Sequence, residues 1–208
     1  MKVSAVFRRA PSDTCFIFLE DTMTNTILKK LRIHLRCLAY AAVCLALALV
    51  LPFLTGQIPE IGQALSPMHF PVLLCGFICG PLWGLAVGAV APILRHFLFT
   101  MPPLTAAIPM AFELAAYGLM TGILYRIFPR KIPYIYASLI GSMAVGRVVW
   151  GCTKYVLTVA QAGSFTFSAF IAGAITGSIP GIICQIVLIP LIVIALRKAK
   201  IMPEDRLD

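Results

Sequence analysis

The sequence predicts an all-α integral membrane protein, a bundle of six transmembrane helices with both termini in the cytoplasm. Three observations predict it: an apolar composition, a series of long apolar runs, and lysines and arginines confined to alternate loops. Of 208 residues, 60% are hydrophobic and only 12% charged, with a mean hydropathy of +0.95. A soluble domain carries roughly 25% charged residues and needs them to cover its surface. A bilayer accepts an apolar exterior, provided that every backbone amide is paired inside a helix.

Residues 1–28 are polar and aperiodic, and are expected to form a flexible cytoplasmic leader. Met23 is a candidate start, because MTNTILKKLR leads directly into a basic flank. A single membrane domain is expected over residues 29–200, with a cytoplasmic tail at 201–208. Its first span is the apolar run 37–54, closed by a loop with Gln57, Pro59 and Glu60. The next run, 67–99, would make a helix of roughly 50 Å at ~1.5 Å per residue, too long for a ~30 Å hydrocarbon layer. It must break, and Gly80-Pro81 is the place: glycine relaxes the backbone, while proline removes a donor and clashes with the turn before it. A short span is therefore expected before the break and a second after it.

Pro102-Pro103 stiffens the loop that follows. Span four is expected at 108–127, span five at 134–160 and span six at 168–196, separated by Arg130-Lys131-x-Pro133 and by Gln161, Gly163 and Ser164. Pro109, Pro180 and Pro190 are expected to interrupt their helices and free carbonyls that must find other partners.

The basic residues test this count independently. Lys and Arg accumulate in cytoplasmic loops, and six spans place Lys29, Lys30, Arg32 and Arg36 on the same side as Arg126, Arg130, Lys131, Arg197, Lys198 and Lys200. The opposite loops, 55–66, 100–107 and 161–167, contain none. The net charge of +9 thus reports membrane orientation, not a face for nucleic acid.

Little of the sequence points to catalysis. There is no GxxxxGK[ST] loop to grip a nucleoside triphosphate, and the loops between spans are too short for an ATPase domain. His34, His69 and His96 form no HExxH pair, and no metal or cofactor is expected. Seven cysteines, at 15, 37, 44, 75, 79, 152 and 184, match neither a zinc framework nor a redox CxxC. Those inside apolar runs read as small packing residues, Cys75 and Cys79 on one helix face. A membrane enzyme and a non-transporting scaffold are the readings from other classes.

Charged groups within a span are costly and mark functional places. Glu113 is the one acid inside a span; Arg147 and Lys154 lie in span five, Arg95 and His96 near the outer end of span three, and Gln185 mid-way in span six. Arg147, Trp150, Gly151 and Lys154 share one helix face, as do Glu113 and Tyr117. A pocket walled by spans four to six follows, with Tyr117, Trp150 and Tyr155 stacking on a ligand while Glu113, Arg147, Lys154 and Gln185 orient it. The alternative is a structural ion pair of Glu113 with Arg147 or Lys154. Arg95 has two readings, ligand contact or a head that reaches the interface. Three bases against one acid favour a ligand with a carboxylate. In span one, Ala42-xxx-Ala46 offers a surface for close helix approach.

The run SPMHFPVLLCGFICGPLWGLAVGAVAPILRHFLFTMPPL, followed by PMAFELAAYGLMTGIL, resembles the substrate-specific (S) components of energy-coupling-factor (ECF) transporters, a likeness that covers nearly all of residues 37–197. Its specific pieces are the Pro-Met-His-Phe-Pro opening of span two, the Gly-Pro break, the Met-Pro-Pro loop and Phe-Glu-Leu-x-x-Tyr-Gly in span four. The resemblance implies a bacterial plasma-membrane subunit that binds a vitamin or precursor near its outer face. It also implies docking on a transmembrane coupling subunit that carries two ATPases. Ala42 and Ala46 match the Ala-xxx-Ala pattern by which that family docks, and toppling of the loaded subunit in the membrane is the movement associated with the family.

Overall fold

The structure is a computed structural model that describes residues 11–55, 65–129, 131–160, 166 and 178–199; the side chains of 11–25 and 54–55 are not described. Among the described residues the elements are α1 (Pro11–Val50), a 3-10 turn (Leu51–Thr55), α2 (His69–Cys79), α3 (Pro81–Phe99), α4 (Leu104–Ile127), α5 (Ile132–Ala160) and α6 (Ile179–Lys198).

α1 starts at Pro11, inside the segment expected to be a flexible leader, so the backbone of 11–28 is helical. The physical reason is local: no glycine or proline stands between Pro11 and Pro52 to stop a helix once it has begun. Polar composition alone does not end one. Its apolar part, Thr26–Phe53, is long enough to cross a membrane. Pro52, which cannot donate, then tightens the chain into the 3-10 turn. Residues 1–10 and the tail 201–208 lie outside the described residues.

The expected break is found. Gly80 has φ 94°, a conformation that costs an L side chain and suits glycine, and its N–H still caps α2 on the Gly76 carbonyl at 3.2 Å. Pro81 occupies the first turn of α3, where its missing donor costs nothing. The helix before the break is shorter than a span: at 11 residues α2 rises about 16 Å, roughly half the hydrocarbon thickness. Among the described residues five helices are long and apolar enough to cross a membrane, and α2 by itself is not. Every residue of α2 except Leu74 is buried.

α2 and α3 fold back on each other about Gly80, and α4 lies against both. Glycine makes this approach possible. A Cβ at Gly84 would stand 2.6 Å from the Gly118 carbonyl oxygen, at Gly88 2.3 Å from that of Leu114, and at Gly122 2.4 Å from the Pro81 nitrogen. Gly76 meets the same Gly118 carbonyl from α2. Backbones thus touch along a seam of small residues, as membrane helices without a hydrophobic driving force require. Gly76, Gly80, Gly84 and Gly88 recur at every fourth position in the sequence, a signal for this seam that a search of span one alone passes over.

α4 packs between α3 and α5, and α2 packs against α1, α3, α4 and α6. Cys37, Cys44, Cys75 and Cys79 are buried in the α1–α2 core and form no disulfide, with Cys79 Sγ donating to the Cys37 carbonyl at 3.5 Å. Pro109 and Pro190 lie inside α4 and α6 as expected, but Pro180 does not interrupt α6. It sits in the first turn, after Ser178 at the N-cap position, where proline is tolerated because the first N–H groups have no helical acceptor. The earlier part of the expected span six, 168–177, and the loop positions Gln161, Gly163 and Ser164 lie outside the described residues.

Candidate functional site

Glu113 sits nine residues into α4, about 14 Å along the helix from Leu104 at ~1.5 Å per residue. This is the interior of an apolar helix long enough to cross a membrane, and the side chain is almost fully buried. A lone carboxylate there would be very costly. Three groups from three helices converge on its Oε1. Tyr117, one turn further along α4, donates its hydroxyl at 3.1 Å; Arg147 of α5 brings Nη1 to 3.0 Å; and His69, the first residue of α2, places Nε2 at 3.6 Å.

Each partner is held by its own element. Tyr117 is fully buried, and a Cβ added at Gly146 would stand 2.1 Å from its ring. Gly146 therefore lets α5 close on Tyr117 and brings its neighbour Arg147 to Glu113. The His69 ring meets Tyr117 edge-on, centroids 5.3 Å apart. Because α2 begins at the level of Glu113 and ends at Gly80, where Arg126 of α4 packs against it, the shortness of α2 puts its first residue in the middle of the bundle.

The cluster is satisfied at its centre and unsatisfied at its edges. Both ring nitrogens of His69, Nε and Nη2 of Arg147, and the hydroxyl of Thr121 are buried without a hydrogen-bond partner among the described residues. Such atoms are uncommon in native interiors and call for an explanation. Gln185 of α6, fully buried, has no hydrogen-bond partner for either amide atom among the described residues.

Of the residues singled out from sequence, Glu113, Tyr117 and Arg147 come together directly. The open choice of base for Glu113 falls to Arg147; Lys154 lies two turns further on, half-buried on the same inward face as Trp150 and buried Gly151. Tyr155 turns to the outer surface at 53% exposure, although it was expected to wall the pocket with Trp150.

Arg95 is buried, but its guanidinium serves a different contact: Nη1 donates to the Leu49 carbonyl, and the group lies over the rings of Phe53 and Phe99 at 5.0 and 5.5 Å. This joins the end of α1 to α3 and meets the cost of the cation with a carbonyl and two π faces. His96 Nδ1 bonds the Pro102 carbonyl at 2.8 Å, fixing the α3–α4 loop.

His69 is the cluster member that sequence reasoning missed. Its signal was a histidine between prolines in an otherwise apolar run. Gly146 was missed as well, since its role exists only against the Tyr117 ring.

On α1, Ala42 and Ala46 are both exposed, in line with exposed Leu31, Leu35 and Leu38, while Ala41, Cys44 and Ala48 face the core. The small residues thus lie on an outward face.

No curated protein and no solved structure matches the chain. The family model for the ECF transporter, substrate-specific component, matches residues 36–193, from α1 into α6 and well over half of the sequence. An apolar helical bundle with a polar cluster in its interior accords with that match, and the chain belongs to the substrate-specific components of ECF transporters, the membrane subunits that bind substrate.

Proposed function

We propose that this subunit captures a small vitamin or vitamin precursor at the His69–Glu113–Tyr117–Arg147 cluster from the outer side of a bacterial plasma membrane. It then passes the molecule inward with a transmembrane coupling subunit and two ATPase subunits. The observation that carries the reading is the cluster itself. An ion pair built only to hold helices together is best satisfied completely, yet here both ring nitrogens of His69 and Nε and Nη2 of Arg147, all buried, make no hydrogen bond among the described residues.

Docking falls to the outward face of α1. Ala42 and Ala46 form a step of four on an exposed stripe, and only small residues let a partner helix approach to backbone contact. Ala42→Trp with Ala46→Trp is expected to abolish ATP-dependent uptake in cells that express the coupling subunits. The purified variant should retain the small molecule that co-purifies with the parent chain, read by mass spectrometry of the denatured protein. Unchanged uptake places the interface elsewhere, and absence of any co-purifying molecule or saturable binding from the parent chain removes the capture reading.

Both termini are assigned to the cytoplasm by the basic-residue asymmetry. In a cysteine-free background, single cysteines at Gln57, Thr105 and Gly163 should each react with a membrane-impermeant maleimide in intact cells. Protection of two of them would refute six crossings.

A further inference from the structure

We propose that the substrate carries a carboxylate, received by the Nε–Nη2 edge of Arg147; this deepens, and rests on, the capture reading. The guanidinium has two faces for planar anions, and Glu113 occupies only one corner, Nη1, at 3.0 Å. Nε and Nη2 point to the same side of the group and present two parallel N–H bonds, the geometry that matches the two oxygens of a carboxylate. Both atoms are buried and without a partner among the described residues.

The anchor for this fork is unusually well held. Nη1 is fixed by Glu113, Glu113 by the Tyr117 hydroxyl, and Tyr117 by Gly146 next to Arg147 itself. A pre-positioned fork loses little entropy when it binds. His69, within reach of the same Glu113 oxygen, offers one ring donor and one acceptor in its neutral form, suiting a hydroxyl or amide on the same ligand.

Charge balance points the same way. Glu113 and Arg147 neutralise each other, and Arg95 is committed to Leu49, Phe53 and Phe99. Lys154 remains on the inward face of α5, two turns from Arg147. An anion entering the cluster is balanced by that lysine, whereas a cation would add to the surplus. A neutral isostere of the acid would leave the fork's two charged donors poorly matched.

The test uses the full chain in detergent. The molecule released on denaturation is treated with acidic methanol, and a carboxylate is read by mass spectrometry as gain of a methyl ester. Binding is titrated with matched pairs: nicotinate and nicotinamide, pantothenate and panthenol, and the released compound and its methyl ester. The parent chain should bind the acid of its pair roughly 10- to 100-fold more tightly than the neutral partner, the range expected for a charge-assisted double hydrogen bond. Arg147→Lys keeps the charge beside Glu113 and removes the fork, so it should lose most of that preference while the neutral partner's affinity changes little. The double variant Glu113→Gln with Arg147→Met, which removes both charges of the pair, should bind acid and neutral partner alike.

A released compound without a carboxylate overturns the inference and leaves capture standing. So does an acid-to-neutral ratio that Arg147→Lys leaves unchanged. A parent chain that releases nothing and saturates with none of these probes overturns the capture reading, and this inference with it.

Discussion

Glu113→Ala is expected to destabilise the folded chain by about 3 to 5 kcal/mol, the cost of leaving one member of a buried pair without its partner. Arg147, mostly buried and joined to Glu113 at 3.0 Å, would be left as a cation in an apolar interior. Arg147→Met should cost a similar amount, by stranding the carboxylate with only Tyr117 and His69 beside it. The double variant Glu113→Gln with Arg147→Met should recover most of the loss, because two neutral side chains of similar volume replace two charges.

The measurement is a double-mutant cycle on reversible unfolding in mixed detergent micelles. Tyr117→Phe serves as the scale: it removes one hydroxyl donor and should cost about 0.5 to 1.5 kcal/mol. Additive losses in the double variant would show that Glu113 and Arg147 do not depend on each other, and the ion pair would not organise the α4–α5 contact.

The second large effect lies in the glycine seam. Gly118→Ala is expected to lower stability by about 1 to 3 kcal/mol, and Gly118→Leu to prevent the folded bundle from forming. The added Cβ would stand 2.2 Å from the Gly84 carbonyl oxygen and 2.3 Å from its carbon. These are backbone atoms, so no rotamer change can relieve the clash and α3 must move away from α4.

Gly141→Ala is the control. Among the described residues its Cβ would meet only the end of the Leu124 side chain, at 3.0 Å, which can turn aside, and alanine is the better helix former by about 1 kcal/mol. It should therefore be neutral or mildly stabilising in the same unfolding assay. Equal losses at 118 and 141 would mean that glycine matters here through helix flexibility and not through close approach.

Much of the helical layout was legible because its causes act over a few residues. Gly80-Pro81 separates α2 from α3 through a permissive φ and a missing donor that any context would feel, whereas Pro52, inside the run 37–54 read as one span, turns the chain from α1 into a 3-10 helix. The helical backbone from Pro11 was legible in the same way, through the lack of breakers, but the polar composition of the segment concealed it. Glu113 stood out because a single acid in a long apolar run is costly wherever its helix packs. The outward face of Ala42 and Ala46 followed only in part, since their spacing shows that they share a face and not which way it turns.

The sequence by itself thus determined that this is an apolar helical membrane protein, that the run 67–99 breaks at Gly80-Pro81, and that Glu113 and Arg147 must be accounted for inside it. Tertiary structure alone decided how those groups combine. Arg147 and Lys154 are equivalent on a helical wheel, and only the height of α5 against α4 selects Arg147 for Glu113. His69 joins them because α2 is short and starts at that height, and Arg95 is drawn to the Leu49 carbonyl because α1 ends beside α3. Periodicity gives the angle of a residue around its own axis. The axial offset between two helices comes from backbone contacts such as Gly84 with Gly118, a property of the pair that neither helix encodes alone.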